Sequence, residues 1–136
     1  MLNKSVVIAE LNKQLQTKLT YLNTTLQQAI DSRNSDTKSS AGDKFETSRE
    51  MAQIEIHKLE AEILKTQQFL YTVRKQEGRL ITTDKGIFLI LLPYGEIKID
   101  NISIFCISNQ APISKLLVNT KVGNTFIFGT HSYTIS

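Results

Sequence analysis

The chain has 136 residues, enough for one or two small domains. Its net charge of +3 is spread evenly: residues 1–77 hold 11 basic and 10 acidic side chains, and residues 78–136 hold 5 and 3. That evenness argues against the basic face of a stand-alone nucleic-acid binder, and a single cysteine, Cys106, excludes an internal disulfide and a cysteine-rich zinc site.

In chain order, the N-terminus has no continuous apolar stretch of signal-peptide length. The run Ile87-Phe-Leu-Ile-Leu-Leu92 is too short to span a bilayer. A cytoplasmic protein with no membrane association is expected. The first element is a helix from about Asn3 to Arg33. Its apolar residues Ile8, Leu11, Leu15, Leu19, Leu22, Leu26 and Ile30 step by threes and fours, as a helix seam does. Four threonines along it lower its intrinsic propensity, so its stability must come from packing. A polar stretch without large apolar side chains follows, from Asp31 to Gly42. A second helix then runs from near Asp43 to about Glu77, with Gly78 placed to end it. Its seam is Ala52, Ile56, Leu59, Ile63, Thr66, Leu70 and Val73, with Thr66 the one polar member.

The two seams mirror each other. Pairing them outward from Ile30 and Ala52 to Ile8 and Val73 gives residue numbers that always sum to 81 or 82. A constant sum is the requirement of an antiparallel helical hairpin, and it puts the fold-back near Ser40 and Ala41. Residues 1–77 therefore read as a coiled-coil hairpin with an acidic tip near 36–46, a rod that carries its tip far from its base.

From Gly78 the period changes to that of strands. Arg79–Thr83, Ile87–Leu92, Glu96–Asp100 and Ile102–Ile107 read as four strands. Ala111–Val118 suits a short helix with proline in its first turn. Thr125–Phe128 and Ser132–Ile135 form a closing hairpin around Gly129-Thr-His131. Residues 78–136 are expected to be a small antiparallel sheet with one helix on it, which makes the whole chain α+β.

Two segments carry a family resemblance. Gly42-Asp-Lys-Phe-Glu46, at the tip of a helical hairpin, resembles the Gly-Asp-x-x-Glu tip of bacterial Gre-type transcript cleavage factors. Ala111-Pro-Ile-Ser-Lys-Leu-Leu-Val-Asn-Thr-Lys-Val-Gly-Asn124 resembles the Ser-Pro-Ile segment of their C-terminal domain. The order, hairpin first and sheet second, is the same. The resemblance implies an FKBP-like fold for residues 78–136. It also implies a transcription elongation factor that binds RNA polymerase, inserts its coiled coil into the secondary channel and stimulates cleavage of backtracked RNA.

By the same resemblance Asp43 and Glu46 are the catalytic and metal-binding carboxylates. They would act on Mg2+ shared with RNA polymerase, with none held stably by the chain alone. Ala111, Pro112 and Ile113 would contact the polymerase. Lys38, Lys44 and Arg49 would lie near RNA, met only through the polymerase complex. The protein would be an accessory factor, not an enzyme in its own right, and a monomer.

Each of these residues also has a plainer reading. Asp43 and Glu46, three apart at a helix start, fit a capping box. Lys38, Lys44 and Arg49 can be solvated charges, Asp36 a loop solubiliser, and Ala111–Ile113 simple helix initiation. The family's third tip acid is replaced here by Arg49, and Asn119-Thr120 stands where the family has Gly-Lys. Two alternatives therefore stay open: a non-cleaving secondary-channel regulator, and a structural coiled-coil adaptor. Cys106 reads as a core residue, and neither His57 nor His131 has a metal-ligand companion. FKBP-like isomerase activity is not expected, because no aromatic-lined pocket is evident in the sequence.

Overall fold

A computed structural model describes the backbone of residues 2–36 and 42–136 and the side chains of residues 2–34 and 48–136. The elements are α1 (Lys4–Asp36), α2 (Gly42–Arg74), β1 (Arg79–Thr83), β2 (Gly86–Ile90), β3 (Gly95–Ile99), β4 (Ile102–Ile107), α3 (Pro112–Asn119), β5 (Thr125–Phe128) and β6 (His131–Thr134). The chain divides into two compact units. One is Lys13–Leu70; the other joins the residues up to Asn12 to Tyr71–Ser136.

In the Lys13–Leu70 unit the expected seam is the buried one. Leu15, Leu22, Ile56, Leu59, Thr66 and Leu70 are buried, while Leu19, Leu26, Ile30, Ala52 and Ile63 are half-buried. The helices run side by side: Lys18 Nζ meets Glu62 Oε2 at 3.5 Å, and Arg33 donates to Gln53 Oε1 at 2.9 Å. Thr66, although polar, is only 2% exposed. Its hydroxyl donates back to the Glu62 carbonyl at 2.8 Å, so the buried oxygen is satisfied within its own helix. Each helix has 33 residues, a rise of about 50 Å.

The start of α1 is capped by Asn3, whose side-chain oxygen accepts from the Val6 N–H at 3.0 Å. The end of α2 differs from expectation. The helix stops at Arg74 rather than near Glu77. Gln76 takes a left-handed conformation with φ 54°, which turns the chain before Gly78 is reached.

The second unit holds a four-stranded sheet of order β1-β2-β4-β3 and a separate two-stranded sheet of β5 and β6. The expected purely antiparallel sheet is corrected here. β2 and β4 pair in parallel, with Phe88 opposite Phe105 and Leu89 opposite Cys106. The reason lies in the residues. Ile87–Ile90 and Ile102–Ile107 are nearly continuous apolar runs, which need cover on both faces and so take the central places. β3, with Glu96 and Lys98 at alternate positions, and β1, with Arg79, Thr82 and Thr83, are the more polar strands and take the edges. The β3–β4 turn, Asp100-Asn101, has both residues at positive φ (51° and 67°), as a tight two-residue hairpin requires.

One face of this sheet supplies Ile81, Phe88 and Ile90 to a core completed by Leu117 of α3, Phe126 of β5 and Ile135. The other face presents Leu89, Ile97, Ile104 and Cys106, all buried. The same unit contains the buried helix-end residues Val7, Ile8, Leu11 and Val73. Asp84, in the β1–β2 turn, ties the terminal strand to the sheet: its Oδ1 accepts from the Thr134 N–H at 2.8 Å. That bond, aided by Lys85, holds its carboxyl below the usual carboxylate range although partial desolvation opposes it.

Candidate functional site

Four of the tip residues singled out above, Lys38, Asp43, Lys44 and Glu46, lie outside the residues whose side chains are described, as does Asp36. What is described there is backbone: α2 is helical from Gly42 onward. Positions 43 and 46 therefore stand about one turn apart on one helix. Arg49, the next charged position along α2, is exposed. Among the described residues no group of three or more His, Cys, Asp or Glu side chains could hold a metal ion.

The Ala111–Ile113 turn is well defined. Ala111 is the N-cap of α3 with extended backbone, φ −63° and ψ 139°, and Pro112 opens the helix. No side chain caps it; instead the chain folds on itself. Ala111 N–H donates to Ser108 O at 3.1 Å and Ser114 N–H to Ala111 O at 2.9 Å. The buried Ser114 hydroxyl donates to Ser108 O at 2.6 Å. These bonds fix the entry angle of α3.

The three residues of that turn divide. Pro112 is exposed and Ala111 half-buried, while Ile113 packs against the core cluster. An exposed apolar partner for Pro112 that the sequence reading missed is Leu116, four residues on and 36% exposed. Helical spacing puts both on one face of α3, and the burial of Leu117 rather than Leu116 sets which face that is.

Cys106 is 2% exposed, and burial pushes its thiol up to about 11. A thiol so placed is neither a nucleophile nor a metal ligand at neutral pH. Burial likewise raises the Tyr94 hydroxyl, with Cys106 adding to the effect. Cys106 is expected to resist alkylation by iodoacetamide at pH 8 in the native protein and to react fully in denaturant. Mass spectrometry of the trapped chain checks this, and rapid native labelling would contradict the burial.

The expectation that no pocket is lined by aromatic residues needs correction. Phe88, Phe105 and Tyr133 line a cleft of about 320 Å³ together with Lys85 and His131. Sequence could not show it, because it arises from the parallel β2–β4 register. Phe88 and Phe105 come to 5.7 Å between ring centroids, and Tyr133 meets Phe88 edge-on at 6.1 Å. Lys85 at its rim is already engaged, donating to the Ser132 carbonyl and pairing with Asp84.

Among the described residues no helix is long and apolar enough to cross a membrane. The chain matches no family model, no curated protein and no solved structure.

Proposed function

We infer that the chain is a Gre-like accessory factor of RNA polymerase that enters the secondary channel with its helical hairpin and promotes cleavage of backtracked RNA. The observation that carries this is the closed antiparallel seam. It supports a two-helix hairpin whose turn falls beside Asp43 and Glu46, on a chain that goes on to an α+β unit of FKBP-like kind. In this reading the protein is a cytoplasmic monomer, touches RNA only through the polymerase and holds no metal of its own.

Asp43 and Glu46 would supply carboxylate oxygens to a Mg2+ shared with the polymerase; that ion, when bound, activates water and neutralises charge on the phosphodiester. The chain's own part is positional. The seam keeps the two helices paired, and positions 43 and 46 both fall at the start of α2. The exposed face of α3, Pro112 with Leu116, serves as the grip on the polymerase, and Lys38 and Lys44 supply positive charge for RNA phosphates.

Arg49 favours a second reading. A cation stands where the family carries a third acid, and the factor would then occupy the channel without promoting cleavage. Arrested complexes separate the two, since only a cleavage factor releases short 3′ RNA fragments.

The partner itself is tested by capture. Immobilised full-length protein is expected to retain the core polymerase of its own cell, and Pro112→Asp with Leu116→Asp to lower that retention by about tenfold, the loss that 1.4 kcal/mol of contact energy represents. Absence of polymerase subunits from the wild-type capture would overturn the reading.

A further inference from the structure

The aromatic cleft has no part in the polymerase reading. Lys85, Phe88, Phe105, His131 and Tyr133 line it, and its volume is about 320 Å³. It shares no residue with the helical seam or with the Pro112–Leu116 face. The terminal strand also runs away from it. Thr83 bridges Ile135 in antiparallel fashion, and Ser136 N–H donates to Thr82 O at 2.9 Å. That strand heads along β1 toward Arg79, whereas Lys85 follows the other end of β1.

The floor of the cleft is apolar and held in place. Phe88 is buried, and Phe105 and Tyr133 are half-buried. The rings brace one another: Phe88 lies 5.7 Å from Phe105 and 6.1 Å from Tyr133, and Tyr133 is stacked on Phe126 at 5.2 Å. Phe105 also lies against Gly86, where a Cβ would come within 3.3 Å of its ring. A floor fixed by packing loses little freedom when a ligand binds.

The rim consists of donors. Lys85 has three N–H groups. One goes to the Ser132 carbonyl, and Asp84 Oδ2 stands 3.7 Å from the nitrogen, which leaves at least one to give. The His131 imidazole is exposed and carries an N–H in either tautomer. The Tyr133 hydroxyl is a third donor. Neither of these two side chains makes a hydrogen bond or ion pair among the described residues. No carboxylate side chain lines the cleft. The polar end of a ligand must therefore accept hydrogen bonds, and a negative acceptor is held more strongly than a neutral one.

An apolar cleft with a few convergent polar groups has the build of a small-ligand site, and this volume lies at the lower end of such sites. It suits one ring with a short chain, and rings pack well edge-to-face or offset on other rings. We propose that the cleft binds a small aromatic carboxylic acid. The ring of the ligand packs on Phe88 and Phe105, and its carboxylate accepts from Lys85, His131 and Tyr133. A free acid and the last residue of a protein that ends in phenylalanine share this chemistry, and the test separates them. Failure of the polymerase reading would leave this inference untouched.

The test titrates full-length, isotope-labelled protein with 3-phenylpropionate and follows it by NMR. The His131 ring signals are expected to shift saturably, together with those of Phe88, Phe105 and Tyr133. His57, the other histidine of the chain, does not line the cleft, and its signals should stay still. 3-Phenylpropionamide, the uncharged counterpart, is expected to bind at least about fivefold more weakly, because hydrogen bonds to charged groups are the stronger. His131→Glu changes an exposed residue and sets a like charge beside the ligand. It is expected to weaken binding of the acid at least about tenfold and of the amide no more than about threefold, with the rest of the spectrum unchanged. Ala-Ala-Phe identifies the source: tighter binding than the acid assigns the site to a protein terminus, and equal or weaker binding to a free acid. Four results would overturn the proposal: no saturable shift at tens of millimolar acid, shifts of His57 equal to those of His131, equal binding of acid and amide, or equal losses of both ligands in the folded His131→Glu variant.

Discussion

Replacing Asp43 and Glu46 together by alanine is expected to abolish stimulated RNA cleavage while leaving capture of RNA polymerase unchanged. The fall in cleavage rate should be at least about a hundredfold, the scale on which removal of preorganised groups at a reacting centre acts. Alanine alone does not decide between the two roles these residues can have. If Asp43 caps α2 and Glu46 completes a capping box, their loss frays the first turn at a cost of about 1 kcal/mol. Frayed helices also position nothing well. Asp43→Asn with Glu46→Gln resolves this. Asparagine caps as well as aspartate, and glutamine can replace glutamate in the box. Neither amide supplies the negative oxygen that Mg2+ favours. A metal role predicts that the amide pair is as inactive as the alanine pair; a capping role predicts that it is silent. The measurement is the yield of short 3′ fragments from arrested complexes with saturating factor. Full cleavage with both double variants would remove these residues from the chemistry.

The same ambiguity explains what was legible in the sequence and what was not. The hairpin seam could be read because helix packing repeats every three to four residues and antiparallel pairing fixes a constant sum. Even Thr66 was placed correctly, since a threonine can satisfy its hydroxyl on the preceding turn. The strands were found for a similar local reason. Their pairing was not, because adjacency in sequence suggests antiparallel neighbours. The deciding signal was nevertheless present: Ile87–Ile90 is apolar throughout and Ile102–Ile107 is broken only by Ser103, whereas Glu96–Ile99 alternates, so the first two belong in the middle. The aromatic cleft follows from that register and was invisible without it. At Pro112 and Leu116 the limit was different. Helical spacing alone does not say which stripe of an eight-residue helix meets the core, and only the burial of Leu117 settles it. The role of Asp43 and Glu46 is illegible for a deeper reason: the i, i+3 spacing that caps a helix is also the spacing that offers two carboxylates to a cation.

Leu117→Ala is expected to cost the sheet-bearing unit about 2–5 kcal/mol, the range for removing a fully buried leucine from a packed core. Leu117 is 1% exposed and joins α3 to Ile81, Phe88, Ile90, Phe126 and Ile135. It is the only residue of α3 in that buried cluster. Three neighbouring elements lose contacts at once, and a rigid sheet wall leaves little room to collapse into the cavity. Leu116→Ala, one residue away, is the matched control. Its side chain is 36% exposed, so its cost should stay below about 1 kcal/mol. Urea unfolding followed by tyrosine fluorescence measures both, because Tyr133 is stacked on Phe126 at 5.2 Å within the same core. The two variants should then exchange rank in polymerase capture under native conditions. Leu116→Ala removes an outward contact from an intact α3, whereas Leu117→Ala leaves that contact in place while the majority of molecules remain folded. Capture that tracked stability alone, with Leu116→Ala indistinguishable from wild type, would show that the outer face of α3 serves the fold and nothing beyond it.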